Sequence, residues 1–290
     1  MVGRGLALVS RARPQLLVVT GGHRVDLDAF LDMVAAVCDR LGWRWAHARQ
    51  PSAQDWLQPD AAGAWDAVLC HDIPGLRLRR GEPPEPFGPD DGVRTALIEL
   101  LRRGQGLVVT HHSLAGWPSW DGWARALGGR FLYAPGTLDG EPWPSSGTRI
   151  ARYRVQVVDP EHPVCAGVPD FELTDELYLC PIFEDGVVPL LRAEADFDGR
   201  RFVSTYEHVV VGVDAAPGCG AHPPGSDLIG WAKAAEESPL VYLQPGDSAE
   251  TFALEPYRQL VGNALAWVAS PEARAWATRH AVPLGESRSP

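Results

Sequence analysis

Short apolar runs alternate along the first half of the chain with longer segments in which apolar residues recur every three or four positions. The runs at 16–20, 67–70 and 106–110 are rich in Val and Leu and are bounded by turn or polar residues. Runs of this length are typical of buried strands in a parallel sheet. Helical periodicity covers residues 27–41 and 90–104. Strands that alternate with helices in this way predict βαβ units and an α/β fold.

Capping residues and weaker patterns extend this assignment. Asp26 is placed to cap the helix over 27–41 and Gly42 to end it. A further helix is predicted where Trp117, Trp120, Trp123 and Leu127 share one face. Weaker strands are predicted at 44–48, 149–158, 187–193 and 240–243, a last helix at 256–268, and an irregular Pro-rich insertion at 75–89. Residues 134–147 are rich in Gly, Pro and Ser, and we expect an irregular C-terminal part that folds back over the crevice.

Length and composition narrow the class of protein. The chain has 290 residues, is 45% hydrophobic and has a net charge of −11 without a basic run, which argues against nucleic-acid partners. Five cysteines without CxxC spacing predict a reduced, cytoplasmic protein, and no apolar stretch is long enough to span a membrane. No GxGxxG or P-loop motif occurs, so no nucleotide cofactor is expected. We divide the chain into a loose leader at 1–13, one domain at 14–270 and a C-terminal helix and tail at 271–290.

Histidines follow three of the predicted strands. His23 comes after the first strand, His71 after the third, and His111 and His112 after the fourth. With a strand order of 2-1-3-4-5, the carboxyl ends of these strands flank the crevice in which α/β proteins bind ligands. We predict a divalent metal, zinc or a similar ion, bound by His23, His71 and His111, with a carboxylate such as Asp175 or Glu176 as a further ligand. The alternatives are acid/base chemistry without a metal and simple hydrogen bonds to loop backbone.

A second polar group lies at residues 174–178. Asp175 and Glu176 are candidate catalytic carboxylates, together with His112 as a proton acceptor, and Tyr178 is a candidate substrate ligand. The same residues also fit a helix N-terminus in which Thr174 is the cap and the two acids complement the helix dipole.

Three more residues near the predicted crevice have two interpretations each. Trp117 is a candidate for stacking on a sugar ring, although tryptophans at helical spacing are usually core residues. Gly22 lets the backbone approach a ligand closely, although a GG pair is a weak signal. Ser113 is either a nucleophile with a neighbouring histidine as its base or a helix cap, and it lacks the GxSxG pattern.

Four segments carry a resemblance to a known family. Residues 16–23 (LLVVTGGH), 105–131, 162–178 (HPVCAGVPDFELTDELY) and 238–270 resemble, in order, the ThuA-like family, which is named for trehalose utilisation. The resemblance implies a three-layer, doubly wound, flavodoxin-like α/β fold of the class I glutamine amidotransferase-like type, with a mostly parallel sheet. The turn at 110–116 has no cysteine, so we do not expect glutamine amidotransferase activity.

The resemblance also implies a function. Members of this family resemble partners of sugar oxidoreductases in the catabolism of trehalose and other glycosides through 3-keto sugars, with a divalent metal at the strand-end histidines. The resemblance implies a GH dipeptide after the last strand in many relatives, whereas this chain has Gly246 and Asp247 there. The loop at 206–229 does not align with the family.

We therefore expect an enzyme that cleaves an oxidised (3-keto) sugar or glycoside by metal-assisted elimination or hydrolysis. In this hypothesis the metal polarises the ketone, and Glu176, Asp175 or His112 removes the neighbouring proton. One alternative is a non-catalytic carbohydrate-binding or accessory protein of a sugar oxidoreductase, and another is a hydrolase that uses Ser113. A sugar substrate, a sugar oxidoreductase and a second copy of the chain are the expected partners.

Overall fold

A computed structural model gives the structure of the protein and describes residues 13–212, 214–218 and 222–284. All but the last residue of the predicted leader, Cys219, and the tail from 285 onward lie outside these ranges. The strands within them are β1 (Gln15–Gly21), β2 (Arg44–Arg49), β3 (Ala67–Asp72), β4 (Leu76–Arg77), β5 (Glu85–Pro86), β6 (Gly106–Thr110), β7 (Gly136–Leu138), β8 (Glu141–Trp143), β9 (Gly147–Val157), β10 (Phe171–Leu179), β11 (Val188–Glu194), β12 (Val203–Ser204), β13 (Leu228–Ala235) and β14 (Ser238–Leu243). The helices are α1 (Leu27–Leu41), α2 (Ala53–Trp56), α3 (Pro59–Ala62), α4 (Asp91–Arg102), α5 (Asp121–Leu127), α6 (Thr205–Val211), α7 (Ala249–Ala253), α8 (Glu255–Val268) and α9 (Pro271–Arg279).

One large sheet organises the described residues. Its order is β10-β9-β11-β13-β14-β6-β3-β1-β2, with β12 paired to β9. The strands β2, β1, β3, β6 and β14 are mutually parallel. When these five parallel strands are numbered by their order along the chain, their order across the sheet is 2-1-3-4-5. This is the order of a doubly wound sheet, which confirms the predicted fold class and strand order. Antiparallel strands extend this parallel core, so the complete sheet is mixed.

Helices cover both faces of the parallel core and create two apolar clusters. Successive residues of a strand point to opposite faces, so Leu16 and Val18 of β1 join one cluster and Leu17 and Val19 join the other. Helices α1 and α8 close the first cluster, whereas α4 and α5 close the second. This gives the three predicted layers.

The expectation of an irregular C-terminal part is wrong. Residues after 131 supply the antiparallel strands β9, β10, β11 and β13 of the main sheet. Four strands separate β10 from β6, a span of roughly 24 Å in a flat sheet. Yet the Tyr178 hydroxyl on β10 lies 2.9 Å from Nδ1 of His112, which follows β6. The antiparallel half therefore curves back over the carboxyl ends of the parallel strands.

Three local expectations also change. The Pro-rich insertion at 75–89 contains the short paired strands β4 and β5, because its prolines lie at positions that a two-residue edge strand tolerates. Trp117 precedes α5, which begins at Asp121. His71 is still part of β3.

Among the described helices, none combines the length and the apolar character that a membrane span requires.

Candidate functional site

His111 directly follows β6, at the centre of the sheet. Its φ of +54° is a conformation that residues other than glycine rarely adopt and that is enriched at functional sites. The hydroxyl of Tyr242 donates to the His111 carbonyl at 2.9 Å, and Nδ1 of His111 lies 2.9 Å from the carbonyl oxygen of Gln244. Because a carbonyl oxygen only accepts, Nδ1 carries the ring hydrogen. The neutral imidazole therefore has its lone pair on Nε2.

Two carboxylates face that lone pair. Nε2 of His111 lies 3.7 Å from Oε2 of Glu176 and 3.5 Å from Oδ1 of Asp247. Nε2 of His112 lies 3.6 Å from the same Glu176 oxygen. A lone pair and two anionic oxygens repel one another in this partly buried environment unless a proton or a metal cation lies between them. The geometry therefore suits a proton or a metal cation at this point.

These four side chains fit a metal. Ligand atoms of His111, His112, Glu176 and Asp247 all lie within 4.8 Å of one another. Oε2 of Glu176 is buried and has no hydrogen-bond partner among the described residues, as expected of an oxygen that is available to a cation. Imidazole nitrogens with carboxylate oxygens are a donor set that suits zinc and similar divalent ions.

The pKa values follow from burial and charge. Burial alone lowers the pKa of His111, but the hydrogen bond to Asp247 and the nearby carboxylates outweigh it, so the pKa is raised. Burial also raises the pKa of Glu176, against the opposing charge of His111. The hydrogen bond to His111 lowers the pKa of Asp247. Burial and the neighbouring histidines hold the pKa of His112 well below its usual value, so it is neutral at pH 7.

Asp175 holds the loop that carries Asp247. Its carboxylate accepts hydrogen bonds from the backbone nitrogens of Gly246 at 3.1 Å and Asp247 at 3.2 Å, and from the hydroxyl of Thr251. It also accepts from the backbone nitrogen of Glu176 at 2.7 Å. Asp175 thus positions both acidic members of the four-residue group. The helix N-terminus predicted here is wrong, because residues 171–179 form strand β10.

His23 and His71 lie beside this group. The Thr110 hydroxyl donates to the Cys70 carbonyl at 3.0 Å, so it accepts from Nδ1 of His71 at 2.8 Å. Nε2 of His71 and both ring nitrogens of His23 are buried without a hydrogen-bond partner among the described residues. The His23 ring centroid lies 4.9 Å from that of His112 and 5.3 Å from that of His71. Of the predicted ligands, His111 belongs to the four-residue group and the other two line its edge.

Two tyrosines contact His112. The hydroxyl of Tyr178 lies 2.9 Å from Nδ1 of His112 and 3.0 Å from Nε2 of His111, and that of Tyr133 lies 3.3 Å from Nδ1 of His112. The predicted substrate ligand Tyr178 therefore touches both histidines.

Trp117 and Gly22 have structural partners. The Trp117 indole is buried in the apolar cluster under α4 and α5, and its ring centroid lies 6.5 Å from that of Phe87. Gly22 has a φ of +87°, and a Cβ there would lie 2.1 Å from the Ile73 carbonyl oxygen. The close approach that requires glycine is thus to the backbone of this chain. Sugar stacking by Trp117 and ligand contact by Gly22 stay predictions.

Ser113 forms hydrogen bonds with Asp72. These two residues lie on the face of the sheet opposite to that of His71. The Ser113 Oγ accepts from the Asp72 backbone nitrogen at 2.8 Å and donates to Oδ1 of Asp72 at 3.4 Å. Nε2 of Gln50 donates to the other Asp72 oxygen at 2.9 Å. No described imidazole hydrogen-bonds Ser113, so this arrangement gives a serine nucleophile no histidine base. Burial raises the pKa of Asp72 to about 7, because its effect is larger than that of the hydrogen bonds from Gln50 and Ser113, which act in the opposite direction.

We expect the Asp72→Asn variant to be more stable than the parent protein at pH 8 by about 4 kcal/mol. The unfolded chain ionises this carboxyl near its ordinary pKa of 3.8, whereas the folded protein keeps it protonated up to about pH 7. Its contribution to stability is therefore complete below pH 3.8 and is lost as the pH rises to 7. Urea unfolding at pH 5 and pH 8 measures the change, with Asp60→Asn as an exposed control. A parent-to-variant difference that is the same at both pH values would contradict the assignment.

Comparison with known proteins identifies the family. The family model for ThuA, described as trehalose utilisation, matches residues 87–268, which is more than half of the chain. The protein belongs to the ThuA family. A search of curated proteins gave no match.

Solved structures of ThuA-like proteins share the fold. One from Parabacteroides merdae is 14% identical with a TM-score of 0.61, covering 89% of this chain and 91% of that one. One from Bacteroides uniformis is 17% identical with a TM-score of 0.58, covering 91% of this chain and 95% of that one. A glutamine amidotransferase from Thermotoga maritima aligns at 10% identity with a TM-score of 0.46, covering 89% and 99% of the two chains.

All four residues of the His and acid group lie inside the segment that matches ThuA, whereas His23 and His71 precede it. Sequence reasoning noted Asp247 only as a departure from the GH dipeptide of other ThuA-like proteins. The histidines were identified because they follow the carboxyl ends of parallel strands. The same criterion identifies Asp247, which follows the carboxyl end of the parallel strand β14. In this ThuA protein, a carboxylate therefore completes the group.

Proposed function

We propose that this ThuA protein is an enzyme of sugar or glycoside catabolism that cleaves an oxidised (3-keto) sugar or glycoside. The observation that carries the proposal is the partly buried pair of carboxylates, Glu176 and Asp247, opposite the lone pair of His111. That arrangement fits a divalent cation, and the trehalose-utilisation family supports a sugar as the substrate.

The chain itself supplies the ligands and their orientation. His111, Asp247 and Glu176 would hold the metal. The Gln244 carbonyl fixes the tautomer of His111, which is the role that a hydrogen-bonded partner has for most metal-bound histidines. When bound, a divalent metal polarises the ketone of the substrate.

His112 is the proton acceptor in this proposal. Burial keeps its imidazole neutral at pH 7, and the hydroxyls of Tyr178 and Tyr133 hold the ring in place. His112 takes the proton from the carbon next to the ketone. The electron pair left on that carbon expels the glycosidic oxygen from the following carbon, and the departing oxygen takes a proton. Elimination ends there, whereas hydrolysis also consumes a water molecule.

Asp175 takes no part in proton transfer in this proposal. Its oxygens accept four hydrogen bonds, and its side chain is 2% exposed. We assign it the role of positioning Asp247 and Glu176. In this proposal His23 and His71, whose buried ring nitrogens have no hydrogen-bond partner in the described part of the chain, bind substrate hydroxyls.

Turnover of a 3-keto glucoside tests this proposal. We expect the purified protein to cleave it, to lose activity after a chelator removes divalent ions, and to recover it with Zn²⁺. Mass spectrometry of the products distinguishes hydrolysis, which adds water, from elimination, which does not. Turnover that persists after chelation would favour metal-free acid/base catalysis. Stabilisation by the sugar without turnover would favour the accessory role.

A further inference from the structure

A recess of about 880 Å³ adjoins the proposed active site. Tyr133 lines this recess, and the Tyr133 hydroxyl lies 3.3 Å from Nδ1 of His112, so one side chain contacts both places. Its volume lies within the range of cavities that bind small molecules. The other walls come from α4, α5, residues 118–120 and 132–137, and the side chains of Leu76, Pro86 and Leu284.

The aromatic surface of the recess is already engaged. Trp120 stacks on Trp123, with ring centroids 6.0 Å apart, and the Arg94 guanidinium lies 5.9 Å from the centre of the Trp120 ring. Stacking of a neutral sugar ring is therefore not the interaction that Trp120 most readily offers. Instead, Trp120 orients a cation at the wall of the recess.

Most charges around the recess are paired. Asp121 accepts from Arg130 at 2.7 Å and from the Asp139 backbone nitrogen at 3.0 Å, and Arg125 forms an ion pair with Asp139. Arg94 forms no ion pair within the described ranges, and its Nε is buried without a hydrogen-bond partner there. Arg94 lines the recess, so its guanidinium is available to pair with an anionic ligand there.

We propose that the recess binds an anionic group, a phosphate or a carboxylate, carried by a sugar ligand, with Arg94 as the residue that recognises it. A guanidinium presents its N–H donors in a planar fork that matches either group. The assignment of that ligand as the substrate rests on the proposed function, whereas binding of the anion at Arg94 does not.

Isothermal titration calorimetry with glucose 6-phosphate, glucuronate and glucose tests the proposal. We expect at least one of the two anionic sugars to bind more tightly than glucose. Arg94→Met, which keeps an apolar side chain of similar length, weakens that binding by about tenfold or more. The matched control is Arg102→Met, the same change on the same helix at a residue outside the recess.

The two ligands identify the anion. Arg94-dependent binding of glucose 6-phosphate alone assigns a phosphate, and that of glucuronate alone assigns a carboxylate. Glucose that binds as tightly as both anionic sugars, or anion binding that Arg94→Met leaves unchanged, would overturn the proposal. Glu176→Gln keeps the recess intact, so its anion binding is expected to match the parent's even where metal binding and turnover fail. This separates failure of the recess from failure of the proposed function.

Discussion

We expect the Glu176→Gln variant to cleave a 3-keto glucoside with a kcat/KM between about 10²-fold and 10⁴-fold below that of the parent protein. The amide has the same shape but no negative charge, so it is a poor metal ligand. It also leaves Nε2 of His111 with one carboxylate, Asp247, instead of two. The measurement is steady-state kinetics at saturating Zn²⁺.

The control is Glu172→Gln, at an exposed position of the same strand whose partner is Arg152. We expect its kcat/KM to match the parent value. Because burial already favours the neutral form of Glu176, the Gln variant is expected to fold normally. Circular dichroism and thermal unfolding test this expectation. A folded Glu176→Gln variant with parental kcat/KM would show that this carboxylate has no part in the reaction.

The Asp175→Ala variant is expected to lose about 3–5 kcal/mol of unfolding free energy. Removal of the carboxylate leaves the backbone nitrogens of Gly246 and Asp247 and the Thr251 hydroxyl without their acceptor. Each buried donor left unpaired costs about 1–3 kcal/mol. The loop then no longer holds Asp247 against His111, so metal affinity falls as well.

Denaturant unfolding and metal titration measure the two effects of Asp175→Ala separately. Glu172→Ala is the control, because its side chain is exposed on the same strand, and we expect a change within about 0.5 kcal/mol. An Asp175→Ala variant as stable as this control, with parental metal affinity, would contradict the positioning role.

The parallel half of the fold is predictable from local pattern. Runs such as 67–70 are apolar throughout because both faces of a parallel sheet are covered by helices, and this pattern identified β1, β3 and β6. The antiparallel half was harder to predict. Strand β10 contains Thr174, Asp175 and Glu176, whose polar character resembles a helix N-terminus when the long-range partners are unknown. The antiparallel pairing of this segment with β9 shows that it is a strand.

Part of the candidate site follows from sequence for the same reason. Strand-end position identified His111 and His112, and Glu176 was proposed as a catalytic carboxylate. Asp72 shows the limit of this rule, because it follows His71 directly and strand alternation places it on the opposite face with Gln50 and Ser113. The separate roles of Asp175 and Glu176 also depend on a contact with the loop after β14, which no local pattern reveals.

The most direct test of the metal-binding group is the metal content of the purified protein, measured by elemental mass spectrometry after incubation with Zn²⁺ and removal of the excess. We expect near-stoichiometric metal in the parent and in His280→Ala, where an exposed histidine outside the site is removed. We expect His111→Ala to have lost it. A parent protein without metal, or a folded His111→Ala variant with as much metal as the parent, would contradict the account.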